Sequence, residues 1–547
     1  MATESQNNPV LNEAALDRVK KHGHIATVAA GVTVVEQGEP MERFLVVLEG
    51  KLAVEQSGRA GITTVLTHEE GQFFGDVHSL SGRPSLVSGR MLTDGQIVTL
   101  DRPSLQKLMQ NDSELGELFM RAFILRRVDL LATTNGDAIV LGSNNSSGTL
   151  RIRDFLLRNG HPFSFVDLDK DEGVQGLLDE FEVCIQDIPV LICRGKYVLK
   201  NPTNEEIASC LGFNSSIDTT EIRDVTIVGA GPAGLSAAVY AASEGLAALV
   251  LETKAPGGQA GSSSRIENYL GFPNGISGPE LASRAFDQAE KFGAELLIAK
   301  SAVKLACNTM PFQLVTTGDS VLRTKTIIIA TGAQYRKIPL PDLGKYEGVG
   351  IYYGASTIEA QMCTGNEVVV VGGGNSAGQA AVFLATHARH VHILIRGAHL
   401  ADTMSKYLIR RIEESPNITL HPHTEVIGLC GEAHLDRQTW KHNLTGETVD
   451  KPFRHLYLMT GASPNTKWLG GCVALDDRGF VLTGADLTVE QLQKANWPLS
   501  RKPYLLETST PGVFAVGDVR SGSVKRVASG VGEGSLAISF VHQVLAG

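Results

Sequence analysis

Apolar and polar positions fall into distinct regimes along this chain. Before residue 130, short apolar runs such as Phe44-Leu-Val-Val-Leu48 and Val98-Thr-Leu100 alternate with Gly31, Gly38, Gly50, Gly58, Gly71, Gly75 and Gly82. Short β-prone runs at such spacing predict a β-roll, with a helix before it and helices after it. From 137 to 213 the pattern reads β-α-β-α-β-β-α. Strands are predicted at 138–141 and 163–167, and helices at 149–159, 173–181 and 204–211. A hairpin of 189–193 and 196–199 turns about Arg194-Gly195. Residues 214–221 form a polar linker. Beyond it, two β-branched runs, 225–228 and 367–371, each meet a glycine turn that opens an alanine-rich helix.

Those two turns carry candidate chemistry. In the first, Gly229 permits a tight turn and Gly231 lets backbone approach a pyrophosphate. Gly234 lets the helix that starts at Pro232-Ala233 pack close to the strand. The next strand, 247–251, ends in Glu252, a carboxylate able to accept from a ribose diol. Strand, glycine turn, helix and terminal acid together make a dinucleotide-binding fingerprint. The second turn repeats the logic with Gly372, Gly374, Asn375, Ser376 and Ala377. Its following strand, 391–395, ends in Arg396, which can pair with a 2′-phosphate. NADPH is therefore favoured there, with NADH possible. Lys406, Arg410 and Arg411 are either further phosphate ligands or the solvated face of a helix.

Composition narrows the classes. The chain has 547 residues, 43% of them hydrophobic, and a net charge of −10. That length implies several domains. The acidic balance argues against nucleic acid as a partner. No apolar run reaches the roughly 18 residues of a membrane span, and the first residues do not read as a signal peptide. The seven cysteines include no C-x-x-C pair, so reduced thiols and a cytoplasmic location are the expectation. No metal-ligand spacing is present. His387, His390, His392, His421 and His423 read as surface or satisfied histidines.

Three resemblances follow. The stretches 44–54 and 71–76, followed by Arg83-Pro-Ser85, resemble a cyclic-nucleotide-binding domain. The resemblance implies that Gly75, Asp76, Arg83 and Ser85 surround a nucleotide, Asp76 at the ribose and Arg83 at the cyclic phosphate. Asp replaces the family's usual glutamate, and Pro84 removes an N–H that could donate to phosphate. A binding domain and a sensor fold that no longer binds therefore both stand. Residues 137–213 resemble a glutaredoxin-type thioredoxin fold, with Ile188-Pro189 at its cis-proline turn. The place of its active-site dithiol is taken by Gly142-Ser-Asn-Asn-Ser-Ser-Gly148, which holds no cysteine. Cys184 and Cys193 read as buried, inert thiols.

From Ile222 to Gly547 the chain resembles the thioredoxin reductase family. Gly257-Gly258-Gln259, Glu267-Asn268 and Thr331-Gly332 match its flavin-proximal segments. Gly517-Asp518 matches the pair whose aspartate holds the ribitol of FAD, and Arg526-Val527 continues that segment. The implied architecture is a multidomain α/β chain with an N-terminal β-roll (1–130), a thioredoxin-fold domain (137–213) and two Rossmann-like domains. FAD takes 222–340 and 464–547, and NAD(P)H takes 341–463. The family's dithiol falls on Ala355 and Ile358 here, so both sulfurs are gone, and Cys363 reads as a structural thiol. The implied enzyme is a flavin-dependent NAD(P)H oxidoreductase that passes electrons to an unidentified acceptor. No side chain is nominated as a catalytic acid or base. A rotation of the two Rossmann domains and a homodimer are implied by the family. The alternative is a nucleotide and redox sensor with incidental turnover.

Overall fold

The computed structural model describes residues 7–58, 61–76, 78–132, 138–143, 146–168, 187–194, 197–214, 218–263, 265–355, 357–401, 404–432 and 434–547. The N-terminal part is two antiparallel four-stranded sheets. One has the order His24–Val28, Gly95–Asp101, Arg43–Glu49, Phe73–Phe74. The other has the order Thr33–Val35, Ser88–Met91, Leu52–Gly58, Gly61–His68. Period-2 alternation divides strand Arg43–Glu49 between two cores. Leu45 and Val47 join Leu52, Phe74 and Met91, while Phe44 and Val46 join Phe73, Phe119 and Phe123 beneath the helices. Asp101 caps helix Arg102–Asn111 by accepting from Ser104 N–H at 2.9 Å. The predicted β-roll with flanking helices is the observed one.

Segment 137–213 builds a sheet of order Phe163–Asp167, Ala138–Gly142, Val190–Cys193, Tyr197–Lys200. The first pair is parallel and the other two are antiparallel. Helix Ser147–Arg158 packs on it, and helix Asn204–Leu211 starts in a Thr203–Glu206 capping box. The Ile188-Pro189 peptide is cis, as the resemblance implied. The expected helix at 173–181 and Cys184 lie outside the described residues; Cys193 is buried. This segment does not close its own core. Phe155, Leu156, Ile207 and Phe213 share one cluster with Phe286 and Ile298 of the following part.

The remaining chain forms one mixed sheet, one parallel sheet and a three-stranded antiparallel sheet of Thr424–Cys430, Arg437–His442 and Thr448–Lys451. The first runs Glu295–Ile298, Ala248–Glu252, Ile222–Val228, Val321–Ile329, with Val513–Ala515 added beside Val321–Ile329 and two antiparallel strands beyond it. Ala248–Glu252 is buried along its whole length, as a strand covered on both faces must be. Helices Pro232–Ser243, Gly278–Phe292 and Val527–Leu545 cover it. The second sheet runs Ile351–Tyr352, His455–Leu458, Glu367–Val371, His390–Leu394, Ile418–His421, all parallel. A single antiparallel pair, Ala333–Tyr335 with Ala462–Pro464, carries both connections between the two units.

One expectation is corrected here. Cys307 and Cys472 form a disulfide, with Cα atoms 5.9 Å apart and a sequence separation of 165 residues. That distance lies inside the range two cysteines can bridge. The sequence reading of reduced thiols missed it because only the folded sheet edge brings residue 472 to residue 307. Cys363, by contrast, is a buried thiol that donates to the Ala360 carbonyl at 3.3 Å, and burial raises its pKa.

Candidate dinucleotide sites

The two glycine turns have the same geometry. A Cβ on Gly229 would lie 2.4 Å from the Ala330 oxygen, and one on Gly372 would lie 2.3 Å from the Met459 oxygen. Each first glycine, at φ +108° and +141°, is pressed against the end of the neighbouring strand, where no side chain fits. Each second glycine faces open space: nothing lies within 4 Å of a Cβ built on Gly231 or Gly374. Those cradles can admit a pyrophosphate. Gly231 and Gly374 are also the N-caps of helices Pro232–Ser243 and Asn375–Leu384, whose first N–H groups attract anions. Gly234 packs so closely that its Cβ would stand 1.8 Å from the Gly229 oxygen. Ala233 and Ala377 are buried beside their turns.

Glu252 ends its strand as predicted, buried, and its carboxylate accepts from Ala230 N–H at 2.8 Å and Lys254 N–H at 2.9 Å. It thus braces the first turn. The loop that follows returns to that turn, since Gly257 N–H donates to the Ala230 oxygen at 2.7 Å. Gly258 lies against Gly231, and the Gln259 side chain donates to the Ala333 carbonyl. Thr331 and Gly332 are latched by Asn465: its Nδ2 donates to the Thr331 oxygen at 2.9 Å, and the Thr331 hydroxyl donates to the Asn465 oxygen at 2.9 Å. The sequence reading missed Asn465, although it stands in the strand-end segment Ala462-Ser-Pro-Asn465. Asn268 is exposed beside Glu267.

Gly517 donates its N–H to Glu533 at 2.6 Å. The carboxyl of Asp518 is raised in pKa by burial, with Lys525 opposing and Glu533 adding. Arg526 caps helix Val527–Leu545. That helix comes close to Pro232–Ser243 through Gly534, whose Cβ would lie 2.1 Å from the Ala233 oxygen. Gly517 also lies beside the first turn: a Cβ built on it would stand 3.0 Å from Ala233 Cβ.

At the second turn, Asn375 Oδ1 accepts from Ser405 N–H and Oγ at 2.8 and 2.9 Å. Ser376 is exposed. Arg396 is exposed at its strand end, and no described residue forms an ion pair with it. Arg411, one of the three helix cations considered for the phosphate, is instead paired with Glu267 at 2.7 Å. Of the histidines, His392 and His421 are satisfied groups. His392 sits 3.0 Å from both His421 and Glu367 and stacks on Phe453. Burial is the first cause that lowers the pKa of His392, and of His421 to about 4.

The position that the resemblance assigns to the dithiol lies opposite the flavin-proximal loop. Gly354, adjoining Ala355, would place a Cβ 3.9 Å from Ser262 Oγ. Ala355 packs on the core of the second sheet, and Ile358 lies in helix Thr357–Met362.

Each of the four nucleotide candidates of the β-roll is already engaged by another described residue. Asp76 accepts from His78 N–H at 2.8 Å, Ser85 Oγ donates to the Val87 oxygen at 2.7 Å, and Arg126 donates to the Gly75 oxygen at 2.6 Å. Arg83 is 6% exposed. Its guanidinium lies over Phe213 and Phe286, 5.6 and 4.8 Å from their centroids.

Two glycine-turn sheets joined by one strand pair define a two-dinucleotide oxidoreductase. The chain belongs to the pyridine nucleotide-disulphide oxidoreductase family, whose pattern matches residues 223–534, and the cyclic nucleotide-binding domain pattern matches residues 25–112. It is 33% identical to the NADPH-dependent thioredoxin reductase 3 of Arabidopsis thaliana over 64% of this chain and 65% of that protein. It is 32% identical to the thioredoxin reductase of Streptomyces clavuligerus, over 60% of this chain and 95% of the relative. Lactococcus lactis thioredoxin reductase in its FR conformation aligns with a TM-score of 0.53 and 28% identity, over 59% of this chain and 99% of that one. The thioredoxin reductase family uses FAD and NADPH, and the two open glycine cradles fit two such cofactors. Among the described residues, no helix is long and apolar enough to cross a membrane.

Proposed function

We propose that this protein is an FAD-dependent NADPH oxidoreductase whose electrons leave to an acceptor other than a cysteine pair of its own. The observation that carries this reading is the pairing of two intact glycine cradles with Ala355 and Ile358 where a dithiol would stand. Bound FAD would take a hydride from NADPH and release electrons to the acceptor, a quinone, a one-electron protein, O₂ or another small molecule. In this reading Gly231 and Gly258 leave room for the FAD pyrophosphate, Glu252 takes the ribose, and Asp518 takes the ribitol. Gly374 receives the NADPH pyrophosphate, and Arg396, free of described ion pairs, reads the 2′-phosphate. The chain divides at 1–130, 137–213, 222–340, 341–463 and 464–547. The Arg411–Glu267 pair, which links the second unit to the flavin-proximal segment, releases when that unit turns to present the nicotinamide. The 137–213 segment is a thioredoxin-fold module without active-site cysteines. The protein acts as a homodimer, as the family resemblance implies, and works in the cytoplasm.

The decisive experiment is anaerobic titration of the purified protein with NADPH, followed by a screen of acceptors. Rapid bleaching of the flavin and fast reoxidation by a quinone or ferricyanide are expected. The second reading, a sensor, draws on the β-roll, whose Arg83 is packed against the flavoprotein. A slowly formed and stable reduced flavin would favour it.

A further inference from the structure

Helix Ser147–Arg158 ends against the loop that follows Glu252. Arg158 Nη2 donates to the Gly258 carbonyl oxygen at 2.7 Å. The next residue, Asn159, donates through Nδ2 to the Lys254 carbonyl oxygen at 3.1 Å. Two consecutive side chains thus tie both arms of one short loop, across Ala255, Pro256 and Gly257. The same loop is fixed on its other side to the first glycine turn, through Gly257 N–H to the Ala230 oxygen. A Cβ on Gly258 would lie 3.1 Å from Gly231 Cα. The contacts are shielded: the Arg158 side chain is 16% exposed and Asn159 is 5% exposed.

We propose that Arg158 is a positioning residue for FAD, acting through the Gly258 peptide, and that segment 137–213, which has no active-site cysteines, is thereby a working part of the flavin site. A trans peptide points its carbonyl and the following N–H in opposite directions. With the Gly258 carbonyl held by Arg158, the Gln259 N–H is aimed away from the helix end. Gly257 and Gly258 both have positive φ, +96° and +54°, and glycine backbone is the most permissive there is. Without the guanidinium, the peptide beside Gly231 loses its charge-assisted partner and its fixed orientation. The proposal rests on FAD being the cofactor of the first turn.

The test compares wild type, Arg158→Ala and Arg158→Lys after removal of flavin. FAD affinity is read from quenching of flavin fluorescence, and melting temperatures are taken for stripped and FAD-loaded forms. Arg158→Ala is expected to weaken FAD binding about 10- to 100-fold, the usual worth of a hydrogen bond from a charged donor. Arg158→Lys recovers part of this loss, because it keeps the charge without the planar fork. The three stripped proteins are expected to melt together. Unchanged affinity in Arg158→Ala overturns the proposal. So does a stripped Arg158→Ala protein that melts below stripped wild type by as much as the loaded forms differ, because a structural contact behaves that way. If Arg158→Ala does not fold, Arg158→Lys decides by the same affinity measurement, and an unchanged value again overturns the proposal. A wild type that takes up no FAD overturns the cofactor reading and this proposal with it.

Discussion

The guanidinium of Arg83 lies over the ring of Phe286, 4.8 Å from its centroid. The two residues belong to the N-terminal β-roll and to helix Gly278–Phe292 of the flavoprotein unit. The residue that would clamp a cyclic phosphate is thus occupied between the β-roll and the unit it could regulate. A shielded cation–π contact contributes about 2 kcal/mol, so a ligand must first release Arg83. Calorimetry of the intact chain with cAMP and cGMP should show dissociation constants no tighter than millimolar. Arg83→Ala should instead speed proteolytic release of residues 1–130. Micromolar binding by the wild type that Arg83→Ala abolishes would show that the nucleotide reading stands despite the packing.

Gly231 and Gly234 should fail in opposite ways. Gly231→Val points into open space at an ordinary φ of −69°. The variant should fold and melt like stripped wild type while its flavin content falls at least about 10-fold, because the side chain fills the pyrophosphate cradle. Gly234→Ala drives a methyl into the Gly229 oxygen and should cost about 1–3 kcal/mol of stability even without flavin. Thermal melts and absorbance at the flavin band check both. A yellow Gly231→Val protein would contradict the assignment.

Arg396→Glu should raise the KM for NADPH by about 10- to 100-fold, the worth of a charge-assisted pair, and change that for NADH little. Steady-state kinetics with both cofactors decide it. An equal rise for both would show that Arg396 does not read the 2′-phosphate.

The His392–His421 pair gives the 341–463 unit an acid sensitivity. Burial lowers the pKa of His421 from 6.5 to about 4, and that of His455 likewise to about 4. Below about pH 6.5 the unfolded chain binds protons that the folded one refuses, so stability falls as pH drops from about 6.5 towards 4. The melting temperature should be flat above pH 7.5 and lower at pH 5. His421→Gln should flatten part of that slope. Equal melting temperatures at pH 7.5 and pH 5 would refute the assignment.

Thioredoxin-dependent disulfide reduction should stay at background. Electrons reach a disulfide through a thiolate, and neither Ala355 nor Ile358 can form one. The assay couples NADPH oxidation to thioredoxin and a chromogenic disulfide, in wild type and in a Cys307→Ser/Cys472→Ser variant. Wild-type turnover that vanishes in the variant would make that pair the missing dithiol.

The glycine turns were legible because their constraint is local. Gly229, Gly231 and Gly234 act within one strand–helix unit, so the order of residues carries the geometry. The strands at 163–167 and 367–371 and the helix at 204–211 also fall where local pattern puts them. What stayed hidden depends on distant packing. Arg158 meets Gly258 across 100 residues, Cys307 meets Cys472 across 165, and Arg83 meets two rings that no spacing links to it. A motif records residue types but not which neighbours engage them in the fold.

Residues 333–335 and 462–464 pair as one short ladder, and that arrangement makes the unit between them a cassette. Its entry and exit lie side by side on strands that belong to neither glycine-turn sheet. An equivalent half from a relative, joined at those two points, would leave the ladder's register and the buried core around Val225, Leu235 and Phe514 undisturbed. Coenzyme preference and flavin environment could then be exchanged independently in one polypeptide. The graft would also have to supply a residue that meets Glu267 as Arg411 does.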